Sequence, residues 1–229
     1  MNARRGGLLV VVLGCHGSGK STLVAAVADQ LRRRDLRVDE CYLGRAQDPR
    51  LIAPLRPAIE SLAHRLVARR ARGAEADPTA GSRLHGAAGW WYAVNLAGRF
   101  HRHVRPRLRR GGVVVVDRYV DDLAVMPGAS RRSLALARRL VRRPDILVLV
   151  ETPLATVAAR RPGQPAARLR FEMERFRHLS AAQPPEVTVV RVAGDDDHLA
   201  GGAQEVVTVV TDGLRYRLAA GRHRDSRHR

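Results

Sequence analysis

Lysine is almost missing from this chain of 229 residues, since Lys20 is the only lysine among 41 Lys and Arg. A GTPase reads its base with Asn-Lys-x-Asp, and a chain whose one lysine lies in Gly19-Lys20-Ser21 cannot contain that motif. Cysteine is limited to Cys15 and Cys41, with neither metal-ligand spacing nor a disulfide framework, so two reduced thiols are expected. Cys15 reads as a small residue tolerated in its loop, not as a nucleophile. Aromatic residues are 4% of the chain against 45% apolar, so the core has to be built from Val, Leu and Ala. No apolar run approaches the roughly 20 residues that span a bilayer. Met1–Arg5 leads into a strand-like segment instead of a signal h-region. A cytoplasmic protein with no membrane partner is expected.

Arginine is what the chain has in abundance. The formal charge of +19 invites a nucleic-acid partner, because clustered cations release counterions from a phosphate backbone. The arginines are spread along the whole chain together with Ala, Gly and Val, which is a compositional bias and not a patch, so dedicated nucleic-acid binding is not expected. Against that bias Lys20 is informative: bulk charge is supplied by Arg, and a compact ammonium is kept at one position.

The length suits one α/β domain, taken as 1–220, with 221–229 a basic tail that has no apolar face and is expected to be disordered. Short β-branched runs at Leu8–Leu13, Val38–Leu43, Val113–Val116, Ile146–Val150 and Val187–Val192 read as buried parallel strands. Helical spacing is expected over Ser21–Arg34, Leu51–Arg72, Leu84–Arg110, Ser133–Arg142, Leu154–Arg160, Arg168–Ala182 and Leu199–Leu218, with a loop at Gly73–Ser82. The alternation predicts a doubly wound parallel sheet, with ligands at the carboxyl ends of the strands.

Gly14-Cys15-His16-Gly17-Ser18-Gly19-Lys20-Ser21 satisfies G-x-x-x-x-G-K-[ST] between a strand and a helix. In such a loop successive N–H groups turn toward phosphate oxygens and the helix N-terminus adds partial positive charge. Gly14, His16, Gly17, Ser18, Gly19, Lys20, Ser21 and Thr22 are thus the expected ATP contacts. Lys20 is expected on the β- and γ-phosphates and to face solvent, and the Ser21 hydroxyl on Mg²⁺. The strand Val113–Val116 ends in Asp117, the expected carboxylate on the Mg²⁺ side. An ATPase would follow it with a water-polarising Glu; here Arg118 follows. A kinase needs cations on the γ-phosphoryl and water kept away until an acceptor arrives. Arg160, Arg161, Arg168 and Arg170 around Pro162-Gly163-Gln164-Pro165 read as a short Arg-rich lid, with Arg160 and Arg161 as catalytic candidates beside Lys20, Asp117 and Arg118.

These residues resemble the thymidylate kinase family over almost the whole chain. The resemblance rests on the phosphate loop, on Val104-Arg105-Pro106-Arg107-Leu108 leading to Asp117-Arg118-Tyr119, on Arg143-Pro144-Asp145-Ile146 through Glu151-Thr152-Pro153, and on the lid segment. It implies an α/β fold with the five-stranded, doubly wound parallel core of a P-loop nucleotide kinase, moving the ATP γ-phosphoryl to a nucleoside monophosphate, dTMP or a close variant, with Asp117 catalytic and Arg118 on phosphate. The departures concern the acceptor. His16 stands where the family has an acidic residue, and Asn95-Leu96 stands where it has an Asp-Arg pair. Leu43-Gly44-Arg45-Ala46-Gln47 replaces its Glu-Pro-Gly-Gly-Thr. Arg45, Arg99 and Tyr119 are the acceptor contacts expected in their place, and Trp90, Trp91 and Tyr92 either stack on a base or pack in the core. Two other readings stay open: a kinase of another small-molecule hydroxyl, and a non-catalytic ATP- or nucleic-acid-binding regulator. The expected partner is a small-molecule nucleotide or other phosphoryl acceptor, and a homodimer is left open.

Overall fold

The computed structural model describes residues 6–44, 83–126, 129–195 and 198–225. The expected helix Leu51–Arg72, the loop Gly73–Ser82 and Arg45 lie outside the described residues. The strands are β1 (Leu8–Leu13), β2 (Val38–Tyr42), β3 (Val113–Asp117), β4 (Ile146–Glu151) and β5 (Thr188–Ala193). They form one all-parallel sheet in the order β2-β3-β1-β4-β5. The helices are α1 (Lys20–Arg32), α2 (Arg83–Arg99), α3 (Arg105–Arg109), α4 (Arg131–Leu140), α5 (Leu154–Arg160), α6 (Ala166–Ala181) and α7 (Leu199–Asp225).

The central strands are buried on both faces, which is why they read as unbroken apolar runs. Their pleat still divides the core in two. Leu9, Val11, Leu13, Val114, Val116, Leu147 and Leu149 pack with Leu96, Phe100, Leu134, Phe176 and Leu179 from the α2, α4 and α6 side. Leu8, Val10, Val12, Val113, Val115, Ile146 and Val148 pack with Leu23, Val27 and Leu31 of α1 and Val206, Val207 and Val210 of α7. Alternate residues of one strand thus feed opposite layers, and the sheet is held in place between them.

The helix expected over Leu84–Arg110 is interrupted. A π-helical turn at Phe100–Val104 separates α2 from α3, and Arg105 N–H reaches the carbonyl of Phe100. The cause is Pro106, which lacks an N–H and crowds the preceding turn, so the helix widens there instead of breaking. Helix α4 begins at Arg131 on a reciprocal cap. Ser133 N–H donates to Ser130 Oγ at 3.1 Å and Ser130 N–H to Ser133 Oγ at 3.0 Å, satisfying two otherwise orphaned amides. Helix α7 runs to Asp225, past the expected end at Leu218 and into the stretch assigned to the tail. Among the described residues no helix is long and apolar enough to cross a membrane.

Candidate active site

Strand β1 is central and connects outward in both directions, through α1 to β2 and beside β4, so the crossovers leave a crevice at its carboxyl end. The glycine-rich loop fills that place. Gly17 and Gly19 both have φ 89°, a left-handed conformation that glycine adopts without a Cβ penalty. Gly19 is the N-cap of α1 and offers no side-chain cap, so the first amides of α1 are left for a ligand. Ser18 is fully buried, its carbonyl accepts a 2.9 Å bond from Thr152 Oγ1, and its own Oγ has no partner among the described residues. Thr22 is exposed on the first turn of α1.

Lys20 departs from the expectation that it faces solvent. It is 6% exposed, and Nζ donates to the carbonyl of Cys15 at 2.6 Å. Burial pushes its pKa below 10.5, the Arg118 charge adds to that, and Asp117 and Asp122 oppose it. The bond to the Cys15 carbonyl gives the ammonium a partner, since an unpaired buried charge is far more costly than one bonded to a carbonyl. Cys15 is buried against Val157 and Leu169, and burial raises its thiol pKa. That is the environment of an inert thiol.

The Ser21 hydroxyl donates to Asp117 Oδ2 at 2.7 Å, while Oδ1 of the same carboxylate, 6% exposed, has no partner among the described residues. A hydroxyl, a carboxylate and one free buried oxygen form an oxygen donor set that suits Mg²⁺ once phosphates and waters complete its octahedron. Arg118 follows at φ 67°, a left-handed backbone unusual for a residue with a Cβ. Its guanidinium spans two partners: Nη1 donates to Asp122 Oδ2 at 2.7 Å and Nη2 to His16 Nδ1 at 2.8 Å. Arg160 Nη1 donates to the carbonyls of Gly17 at 3.3 Å and Gly194 at 3.2 Å, joining the phosphate loop to the end of β5. The exposed Arg161 crosses directly over Gly17.

Beside the loop lies a cleft of ≈ 380 Å³ lined by His16, Tyr42, Tyr92, Arg118, Asp122, Gln164, Arg168, Glu172 and Phe176 among others. Arg168 Nε donates to Glu172 at 2.9 Å, and another of its nitrogens bonds the Val125 carbonyl. Arg168 therefore belongs to this cleft, whereas Arg170 lines a second groove with Glu151, Thr152 and Asp195. Sequence reasoning left out Asp122, Glu172 and Tyr42. Glu172 was within reach of a sequence signal, because Arg168 and Glu172 are spaced i,i+4 on α6; Arg118 lies outside any helix, so its spacing to Asp122 carries no such signal.

Two expected acceptor contacts are not in the cleft. Tyr119 is 1% exposed, packs edge-on to Phe100 with ring centroids 6.0 Å apart, and donates its hydroxyl to the Arg142 carbonyl. The pleat at the end of β3 turns it into the core, so its assignment to substrate is corrected. Arg99 is buried and donates from Nη1 to the carbonyls of Leu43 at 3.2 Å and Gly44 at 2.5 Å, fixing the end of β2. Trp90 and Trp91 are about two-fifths exposed rather than core, and only Tyr92 of that trio reaches the cleft. Arg45 lies outside the described residues.

A family profile described as AAA domain matches residues 9–185. The chain is 28% identical to a thymidylate kinase of Xanthomonas campestris pv. campestris over 232 aligned positions, covering 92% of this chain and 87% of that one. It is 24% identical to a probable thymidylate kinase of Pyrobaculum aerophilum over 174 residues, 75% of each. A solved thymidylate kinase structure from Ehrlichia chaffeensis superposes with a TM-score of 0.56 at 16% identity, covering 90% of this chain and 99% of that one. The phosphate loop, the all-parallel sheet and these matches agree: the chain belongs to the AAA-domain family of P-loop proteins, as a divergent member that resembles the thymidylate kinases.

Proposed function

We propose that the protein is an ATP- and Mg²⁺-dependent kinase that transfers the γ-phosphoryl group to a nucleoside monophosphate, dTMP or a close variant. The observation that carries this reading is the Ser21–Asp117 contact at 2.7 Å with Asp117 Oδ1 left over, immediately beside Arg118 and an open cleft. Gly14, His16, Gly17, Ser18, Gly19 and Thr22 form or flank the nest that takes the phosphates, with Lys20 released from Cys15 to pair with them. Ser21 and Asp117 would hold Mg²⁺, which would supply charge neutralisation at the transferring group. Arg118 and Arg161 face the spread negative charge of transfer, and Arg160 keeps the loop shaped by holding Gly17 and Gly194.

The acceptor occupies the cleft, where Arg118 and Arg168 offer guanidinium groups to its phosphate and Tyr42, Tyr92 and Phe176 offer apolar surface to its base. Arg45 is proposed as a further contact, and Arg99 acts on the acceptor only through the end of β2. The Asn95-Leu96 replacement favours a second reading, a kinase of another hydroxyl, because Leu96 is 1% exposed in the core and no guanidinium is available there. A panel of nucleoside monophosphates, nucleosides and sugars with Mg·ATP, read as ADP release, separates the two. Turnover on a monophosphate supports the first reading. Turnover confined to an unphosphorylated alcohol replaces it with the second.

A further inference from the structure

His16 and Arg118 come from different elements and meet with their polar ends. Arg118 Nη2 lies 2.8 Å from His16 Nδ1, inside the cleft. A guanidinium has donors only and stays charged, so Nδ1 must be the acceptor and the ring's single proton must be on Nε2. The other arm of the fork, Nη1, is fixed on Asp122 Oδ2 at 2.7 Å. We infer that His16 is a positioning residue: in its neutral Nε2–H form it fixes the second arm of Arg118 in the cleft, and protonation of the ring releases that arm. Its catalytic consequence rests on the kinase reading above; its geometry does not.

The surroundings favour the neutral form. The groups facing His16 are Lys20 at the start of α1, Arg118 after β3, Arg161 after α5 and Glu172 on α6. Burial lowers the imidazole pKa below 6.5, Arg161, Arg118 and Lys20 lower it further, and only Glu172 opposes them. An imidazolium would have no lone pair for Arg118 and would set a cation against it. With one arm released, the guanidinium pivots on Asp122 and the planar fork is no longer held across the cleft. Above the ring's own pKa the contact is complete, and it is lost as pH falls through that value.

The test uses the full chain in two measurements. In ¹⁵N-edited imidazole spectra, with His16→Asn identifying the resonance, His16 titrates below its ordinary value as the Nε2–H tautomer, and Arg118→Met moves the midpoint upward. An Nδ1–H tautomer, or a midpoint unmoved by Arg118→Met, overturns the inference. In kinetics, Asn offers a side-chain oxygen that accepts a hydrogen bond but does not titrate. The ratio of wild-type to His16→Asn kcat/KM cancels the titration of the acceptor phosphate. That ratio is level above the midpoint and falls about tenfold across it to a lower plateau, set by enzyme whose Arg118 keeps only its Asp122 arm; a ratio flat across the same range overturns the inference. A chain inactive on every acceptor contradicts the kinase reading alone, and the spectra then decide on the His16–Arg118 pair.

Discussion

The hydroxyl of Ser21 donates to Oδ2 of Asp117 over 2.7 Å, so the first turn of α1 and the end of β3 meet although 96 positions separate them. Replacing Asp117 with Asn keeps the size and removes the charge. Transfer in the Asp117→Asn variant should fall by about 10²–10³, and the Mg²⁺ concentration needed for half-activity should rise. Thermal stability should fall only modestly, because the Asn oxygen can still accept the Ser21 hydroxyl while buried Lys20 loses a nearby opposite charge. Magnesium titrations of single-turnover transfer, with melting curves, check both statements.

Lys20 gives the opposite balance of stability and activity. Its folded pKa lies below 10.5, so between that value and 10.5 the unfolded chain binds the extra proton and stability rises with pH. Below that window the buried ammonium opposes folding. Lys20→Met should therefore melt no lower than the wild type near neutral pH, lose the rise in stability above it, and be inactive. Calorimetric melts across pH, paired with activity, test the sign. A variant that melts markedly lower would mean that the bond to Cys15 outweighs the burial of charge.

Gly194 lies where β5 abuts the phosphate loop, and a Cβ there would come within 2.1 Å of Thr152 Oγ1 and 2.3 Å of the Ser18 carbonyl. Gly194→Ala should destabilise by about 1–3 kcal/mol through overpacking and weaken nucleotide binding, since Ser18 moves with it. Gly163→Ala in the turn between α5 and α6, with nothing within 4 Å of its Cβ, should be neutral in both. Denaturant unfolding and calorimetric ATP titrations of the pair provide an internal comparison.

Tyr119 tests the corrected assignment. Tyr119→Phe removes the bond to the Arg142 carbonyl and should reduce stability by about 1 kcal/mol, with KM for the acceptor unchanged. A raised KM at unchanged stability would return the residue to the substrate.

The sheet was legible because β1 is apolar throughout and its neighbours β3 and β4 are apolar at every position but the last, and such runs have few other stable arrangements. The phosphate loop was legible because each of its residue types has a backbone or charge reason to be there. Tyr119 was misread because the side of a strand-end residue depends on pleat parity at the exit, and triplet order does not encode it. The exposure of Lys20 was misjudged because the motif gives the order of residue types and not how the loop covers the side chain. The widening at Phe100–Val104 had a visible cause in Pro106, but a proline can end a helix as readily as widen it, and packing of Phe100 and Val104 into the core decides between them. The His16–Arg118 contact spans 102 positions, and no local spacing reports it.

Transfer of ³²P from [γ-³²P]ATP is the most direct test of the central claim. With Mg²⁺ and a panel of nucleoside monophosphates, label should appear in a nucleoside diphosphate, depend on Lys20 and Asp117, and fall to background without acceptor. Label released only as inorganic phosphate at the same rate with or without any monophosphate would contradict it.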